Sequence, residues 1–107
     1  MTDVTIVLCN APDIDTAEKI AERLVQSHLA ACVNILFPCK SIYHWNNGVQ
    51  KSQEIPMIIK TVTTLYPQLE AMILELHPYE IPEILALDTT DGLPGYCDWV
   101  EQSVYVD

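Results

Sequence analysis

Apolar and polar positions along this chain change period several times, and each change marks an element. From Asp3 to Asn10, Val4, Ile6 and Leu8 fall on one face and Thr5, Val7 and Cys9 on the other. Even the second face is largely apolar, which predicts a strand in the middle of a sheet. Ala11-Pro12-Asp13 reads as a turn. The period then lengthens. Ala17, Ile20, Ala21, Leu24 and Val25 form one stripe at helical spacing, with Glu18, Lys19, Glu22 and Arg23 mostly off it. Asp15, with Glu18 three residues later, has capping-box spacing and predicts the helix start. The helix should fray near Ser27 to Leu29.

Ala31 to Val62 returns to strand character, with β-branched and aromatic residues on both sides of Asn46-Asn47-Gly48. An Asn-Gly pair supplies the positive φ angles of a tight turn, so the stretch predicts an antiparallel hairpin. Its first arm, extended from Ala31 to Trp45, would reach roughly 50 Å at about 3.3 Å per residue. A compact chain of this size has a radius of gyration of only about 13 Å. The hairpin must therefore bend or project. Pro38 and Pro56 cannot donate to a ladder, and each marks a candidate bend. A projecting arm needs its backbone covered, and a second copy of the chain is the simplest cover.

Thr63 to Tyr66 is a junction, and Pro67 suits a first helical position. Leu69, Met72, Ile73 and Leu76 recur at helical spacing, and Pro78 ends that helix at His77. Pro78 to Pro82 is a stiff connector, and Glu83 to Leu87 reads as a fourth strand. Asp91 to Gly95 is a turn, and Tyr96, Trp99, Val100 and Val104 predict a short terminal helix. The order is β-α-β-β-α-β plus that helix. It predicts an α+β, ferredoxin-like fold with a long central hairpin, in a single domain over residues 1–107. Right-handed crossovers put both main helices on one face of the sheet. Val33, Ile35, Ile55, Met57 and Ile59 lie on one phase of the hairpin and Ile58 on the other. The uncovered face is thus expected to be apolar and to mark association.

Charge narrows the function classes. Fifteen acidic and five basic residues give a formal net charge of −10. Nucleic-acid partners call for a basic surface and are excluded. No apolar run is long enough to cross a bilayer. Met1-Thr2-Asp3 has neither a charged leader nor a signal region, so a cytoplasmic location is expected. Cys9, Cys32, Cys39 and Cys97 form no Cys-x-x-Cys pair and are expected as free thiols.

Several motifs together carry a resemblance. They are Leu8-Cys9-Asn10-Ala11-Pro12, Ala30-Ala31-Cys32-Val33-Asn34-Ile35, and Ser41-Ile42-Tyr43-His44-Trp45 with Gly48. Glu54, Lys60-Thr61, His77-Pro78-Tyr79-Glu80, Pro82-Glu83-Ile84 and the Tyr96…Trp99 pair extend it over nearly the whole chain. In this order they resemble the CutA family, proteins associated with divalent-cation tolerance. The resemblance implies a homotrimer of ferredoxin-like subunits, with a PII-like architecture in which long strands pair around a three-fold axis. It also implies copper, or zinc or another divalent metal, as ligand.

The predicted topology brings Cys9, at the end of the first strand, and His77, at the end of the second helix, to the same end of the fold. Thiolate and imidazole together suit copper or zinc. The family pattern has two consecutive histidines before Pro-Tyr, and here Leu76 takes the first position. A buried packing cysteine and a helix-end histidine are the plain alternative. Tyr43, Trp45, Tyr79, Tyr96 and Trp99 could line a ligand pocket between subunits, as in a PII-like signalling or adaptor module, or simply pack. Lys60 needs a partner, for which Glu54, Glu80 and Glu83 are candidates. His44 and Cys39 suit surface or interface roles, and His28 suits a helix C-terminus. Ser41 and Ser52 sit in no nucleophile elbow, and there is no Gly-rich phosphate loop, so no enzyme is predicted.

Overall fold

A computed structural model describes residues 2–105. The elements are β1 (Val4–Ala11), α1 (Ile14–Gln26), β2 (Cys32–Ile35), β3 (Cys39–Trp45), β4 (Gly48–Val62), α2 (Tyr66–Leu76), β5 (Ile84–Asp88) and α3 (Pro94–Val104). A 3-10 turn over Thr63–Leu65 leads into α2. The sheet order is β2-β4-β1-β5, and β3 continues along β4 beyond it. Every pairing is antiparallel. This is the ferredoxin-like α+β arrangement, with β1 in an interior position as its two apolar faces predict.

Alternation along the strands decides what enters the core. Val7, Cys9 and Ala11 of β1 and Ile55, Met57 and Ile59 of β4 pack against Ile20 and Leu24 of α1 and Leu69 and Ile73 of α2. Each such aliphatic side chain contributes about 1.5–3 kcal/mol by leaving water. Val33 and Ile35 join the same cluster. The opposite face carries Ile6, Leu8, Ile58, Leu85 and Leu87, which share one alternation phase through the register. α3 lies against one end of that face. There Val4, Ala31 and Val62 form a second cluster with Val100 and Val104. The uncovered apolar face is therefore smaller than the hairpin pattern alone suggests.

The first hairpin arm breaks where Pro38 predicts. β2 pairs with β4 from Cys32↔Lys60 to Ile35↔Met57, and β3 resumes at Cys39↔Glu54. Leu36, Phe37 and Pro38 therefore face only Ile55 and Pro56. One extra residue in one arm is a bulge, and it reverses which side chains face which way. Beyond it, Cys39, Ser41, Tyr43 and Trp45 lie on the sheet face of Asn34 and Cys32. Pro56 causes no break. Its carbonyl accepts from the Leu36 N–H at 2.9 Å. Backbone groups of one strand residue point to one side, so its missing N–H faces the interruption, where no ladder bond is lost.

Three local expectations are corrected. The turn is made by Asn46 (φ 52°) and Asn47 (φ 61°), and no glycine has positive φ. Trp45 pairs with Gly48, so Gly48 already belongs to β4. The N-cap of α1 is Asp13, not Asp15: its carboxylate accepts from the Thr16 N–H at 2.7 Å. Asp15 instead lies in the first turn, where its charge favours the helix dipole. α3 starts at Pro94, two residues before the predicted Tyr96. The ribbon projects, and the molecule measures 45 × 26 × 24 Å.

The Thr16 backbone amide holds the Asp13 carboxyl below its ordinary value. A carboxyl whose folded pKa is depressed adds stability above its unfolded pKa and loses it as pH falls through the folded one. Asp13→Ala should therefore lower the thermal midpoint at pH 7. The difference from the wild type should shrink as the medium is acidified through pH 4 and below. A scanning-calorimetry series in pH checks this, and a constant difference would refute the capping role.

Candidate functional site

The upper end of β1 is the meeting point of the candidate chemistry. Cys9 is buried in the core and Asn10 follows it. The Cys9 Sγ–H lies 3.9 Å from the Asn10 carbonyl oxygen, at the limit of a weak thiol donor. His77 caps the end of α2, its backbone N–H bonded to the Ile73 carbonyl at 2.8 Å. Its ring Nε2–H donates to the same Asn10 carbonyl at 2.7 Å. Its Nδ1 accepts from the Tyr79 N–H at 3.1 Å. Cys9 and His77 thus converge on one backbone oxygen, from a strand and a helix far apart in sequence.

Neither side chain is open to a metal as folded. Burial, with the nearby Glu83 and Glu54 carboxylates, pushes the Cys9 thiol up to about 12. A metal needs the thiolate. Both imidazole nitrogens of His77 already hold hydrogen bonds. Leu76, next to His77, packs against the core cluster. Among the described residues, no three His, Cys, Asp or Glu side chains converge as a metal centre requires. The donor set does not fit a preformed site.

Beside this point lies a cleft of about 630 Å³ between β3, the end of β1 and the connector that follows α2. Tyr43, Trp45 and Tyr79 supply its rings, and Glu54, Glu80 and Glu83 its carboxylates. Asn10 spans both regions, since its side-chain Nδ2–H donates to Glu83 at 3.4 Å. Glu54 is the inner carboxylate, with only 8% of its surface exposed. Tyr79 stacks at a tilt on His77, with ring centroids 4.8 Å apart. Burial and the facing Glu54 carboxylate raise the Tyr79 phenol above its ordinary value.

The five aromatics divide into two groups. Tyr96 and Trp99 sit on α3, their centroids 5.6 Å apart, and do not line the cleft. Lys60 meets none of the proposed glutamates; its ammonium donates to the Asn34 side-chain oxygen. His28 places its Nδ1 3.0 Å from the Ser103 carbonyl near the end of α3. Cys39 Sγ lies 3.7 Å from the Ser41 hydroxyl, and His44 is exposed. Sequence reasoning missed Asn10 as the residue joining the two regions, because a single asparagine at a strand end carries no periodic signal.

The fold first defines a class: ferredoxin-like α+β proteins whose central hairpin outgrows the sheet. Comparison with known proteins narrows it. The family model of the CutA1 divalent ion tolerance protein matches residues 5–103. The divalent-cation tolerance protein CutA of Thermus thermophilus is 41% identical over 92% of this chain and 95% of its own length. The crystal structure of CutA from Xylella fastidiosa superposes with a TM-score of 0.95 at 36% identity, covering 97% of this chain and 100% of that one. The structure of the periplasmic divalent cation tolerance protein CutA from Archaeoglobus fulgidus gives 0.93 at 34%, covering 95% and 99%. The chain belongs to the CutA1 divalent ion tolerance family.

Cys9 should be the last thiol to react. At pH 8 a group titrating at about 12 is ionised to about one part in ten thousand, and only the thiolate attacks. With a chromogenic aromatic disulfide, the native protein should leave one thiol per chain unmodified, mapped by mass spectrometry to Cys9. Denaturant should release it. Fast native labelling of Cys9 would contradict its placement in the core.

Proposed function

We propose that this chain acts as a non-enzymatic cytoplasmic homotrimer that binds a divalent cation, copper before zinc, in metal tolerance. The observation that carries the reading is the convergence of Cys9 and His77 on the Asn10 carbonyl, beside Glu54 and Glu83. Family membership supplies the tolerance role. Cys9 and His77 are the proposed ligands, and the ion has to displace the thiol proton and the imidazole Nε2–H bond to the Asn10 carbonyl to reach them. Carboxylates nearby favour a cation electrostatically but hold the thiol protonated without one. Such a site is weak in acid and strengthens with pH. Four free thiols agree with a reducing compartment, although the Archaeoglobus fulgidus relative is described as periplasmic.

A second reading is a PII-like module that takes a small ligand or partner at a cleft between subunits. The space lined by Tyr43, Trp45 and Tyr79 favours it. The ribbon's exposed Phe37, Ile42 and Val49, and Leu85 and Leu87 on the open sheet face, support the trimer.

Calorimetric titration with copper and zinc tests the metal reading. Copper should bind more tightly than zinc. Its apparent affinity should rise with pH between 6 and 8, by up to about tenfold per unit if one thiol proton is released. Cys9→Ser should weaken binding and flatten that slope without unfolding the protein. Unchanged binding in Cys9→Ser rejects Cys9 as a ligand.

Assembly is tested separately by sedimentation at micromolar concentration, where a stable trimer is expected with an interface larger than roughly 2,000 Å². Removing the matched residues His44 and Val49 with Tyr43 and Gln50 shortens both arms. That deletion should weaken the trimer far more than a surface substitution on α1 does. A well-folded monomer of the wild-type chain would contradict the proposed assembly.

A further inference from the structure

The cleft beside Asn10 has a chemistry that does not suit a metal ion. Its volume of about 630 Å³ falls in the range of pockets for organic molecules, roughly 300–1,000 Å³, and exceeds what one ion fills. Its side chains combine aromatic faces with carboxylates, and no lysine, arginine or histidine is among them. An anionic ligand such as a nucleotide would meet three carboxylates and no counter-charge. Metal ions bind carboxylates that converge, and no such triple exists among the described residues. Aromatic rings add nothing to such coordination but do attract ammonium groups through their π-faces.

Glu54 strengthens the case. It is more than nine-tenths buried, on a strand, at the inner wall of the cleft. A buried carboxylate is costly without a compensating charge, and none of the lining residues provides one. The Tyr79 hydroxyl faces it as a neutral partner, not a counter-charge. The bulge at Leu36–Pro38 puts Tyr43 and Trp45 on the same sheet face as Glu54. Without the extra residue these two rings would turn to the other side.

The geometry points to a site for an organic ammonium cation, with Glu54 as its buried counter-charge and Tyr43, Trp45 and Tyr79 as the walls around its alkyl groups. Glu80 and Glu83, both exposed at the rim, receive any further positive charge. This deepens the small-ligand reading and uses neither Cys9 nor His77 as a contact.

Benzyltrimethylammonium and spermidine are suitable probes, titrated into the full chain in its native assembly, with a chelator present to exclude metals. Calorimetry reads binding, and tryptophan emission follows Trp45, with Trp99 on α3 as the only other indole. At least one probe should bind with a Kd below about 1 mM. Binding of the first alone identifies a compact quaternary head, and of the second alone a polyamine; either supports the site. Glu54→Gln should weaken binding by about tenfold or more, and Trp45→Leu by several-fold. If Glu54→Gln fails to fold, Glu80→Gln with Glu83→Gln at the exposed rim should still weaken spermidine. No binding of either probe up to about 10 mM, equal binding by these variants, or preference for ATP over both would overturn the proposal. Copper titration of Glu54→Gln separates the two readings: retained copper binding with lost ammonium binding assigns them to different groups.

Discussion

The structure depends on the side-chain period of an extended strand and the single place where it is offset. β4 runs unbroken for 15 residues and pairs with β1, β2 and β3 in turn. Its odd positions from Ile55 to Ile59 build the core with α1 and α2. Its even positions, with those of β1, form the other face. The bulge at Leu36–Pro38 shifts the partner strand by one residue, so Tyr43 and Trp45 join the even-numbered side. One inserted residue thereby turns aromatic rings that would lie on the helix side into the wall of a cleft next to Glu54 and Asn10.

Burial then sets the chemistry at the top of β1. Cys9 points into the core and Asn10 away from it, because neighbours on a strand face opposite ways. The thiol is desolvated and faces the field of Glu83 and Glu54, while the asparagine side chain reaches Glu83 at the surface. Between them the Asn10 carbonyl gathers the weak thiol contact and the imidazole hydrogen bond. His77 is held from both ring nitrogens, which ties the end of α2 to β1 and starts the connector that carries Tyr79, Glu80 and Glu83. Core, histidine and cleft are therefore linked by a single residue.

Two donor chemistries lie side by side at this end of the molecule. A soft pair, thiol and imidazole, lies inside. A harder and more open set, carboxylates with aromatic faces, lies outside. Net charge of −10 draws cations of either kind toward the protein but does not choose between them. Dimension and solvation separate the two in principle: a single ion needs ligands that converge, whereas an extended organic cation can meet separated carboxylates and lay methylene groups on rings.

Much of this was legible in the residues. The apolar phases of Val4–Ala11 and the stripe through Ile20 and Leu24 determine the strand, the helix and their order, since a period of 2 or 3.6 is a local property. The prolines at 38 and 78 mark an interruption and a helix end because the missing N–H and fixed φ act locally too. The same chemistry did not say that Pro56 would be harmless. That depends on which side of β4 has no partner. Nor could it say that Asn46 and Asn47, not the glycine, carry the turn, since register across the ribbon decides which two residues remain unpaired. The convergence of Cys9 and His77 at one end followed from topology, but the bonds that occupy both imidazole nitrogens arise only when α2 meets β1. The cleft owes most to tertiary structure. Its carboxylates and rings are visible one by one in the chain, yet a one-residue offset between two strands decides that they face each other.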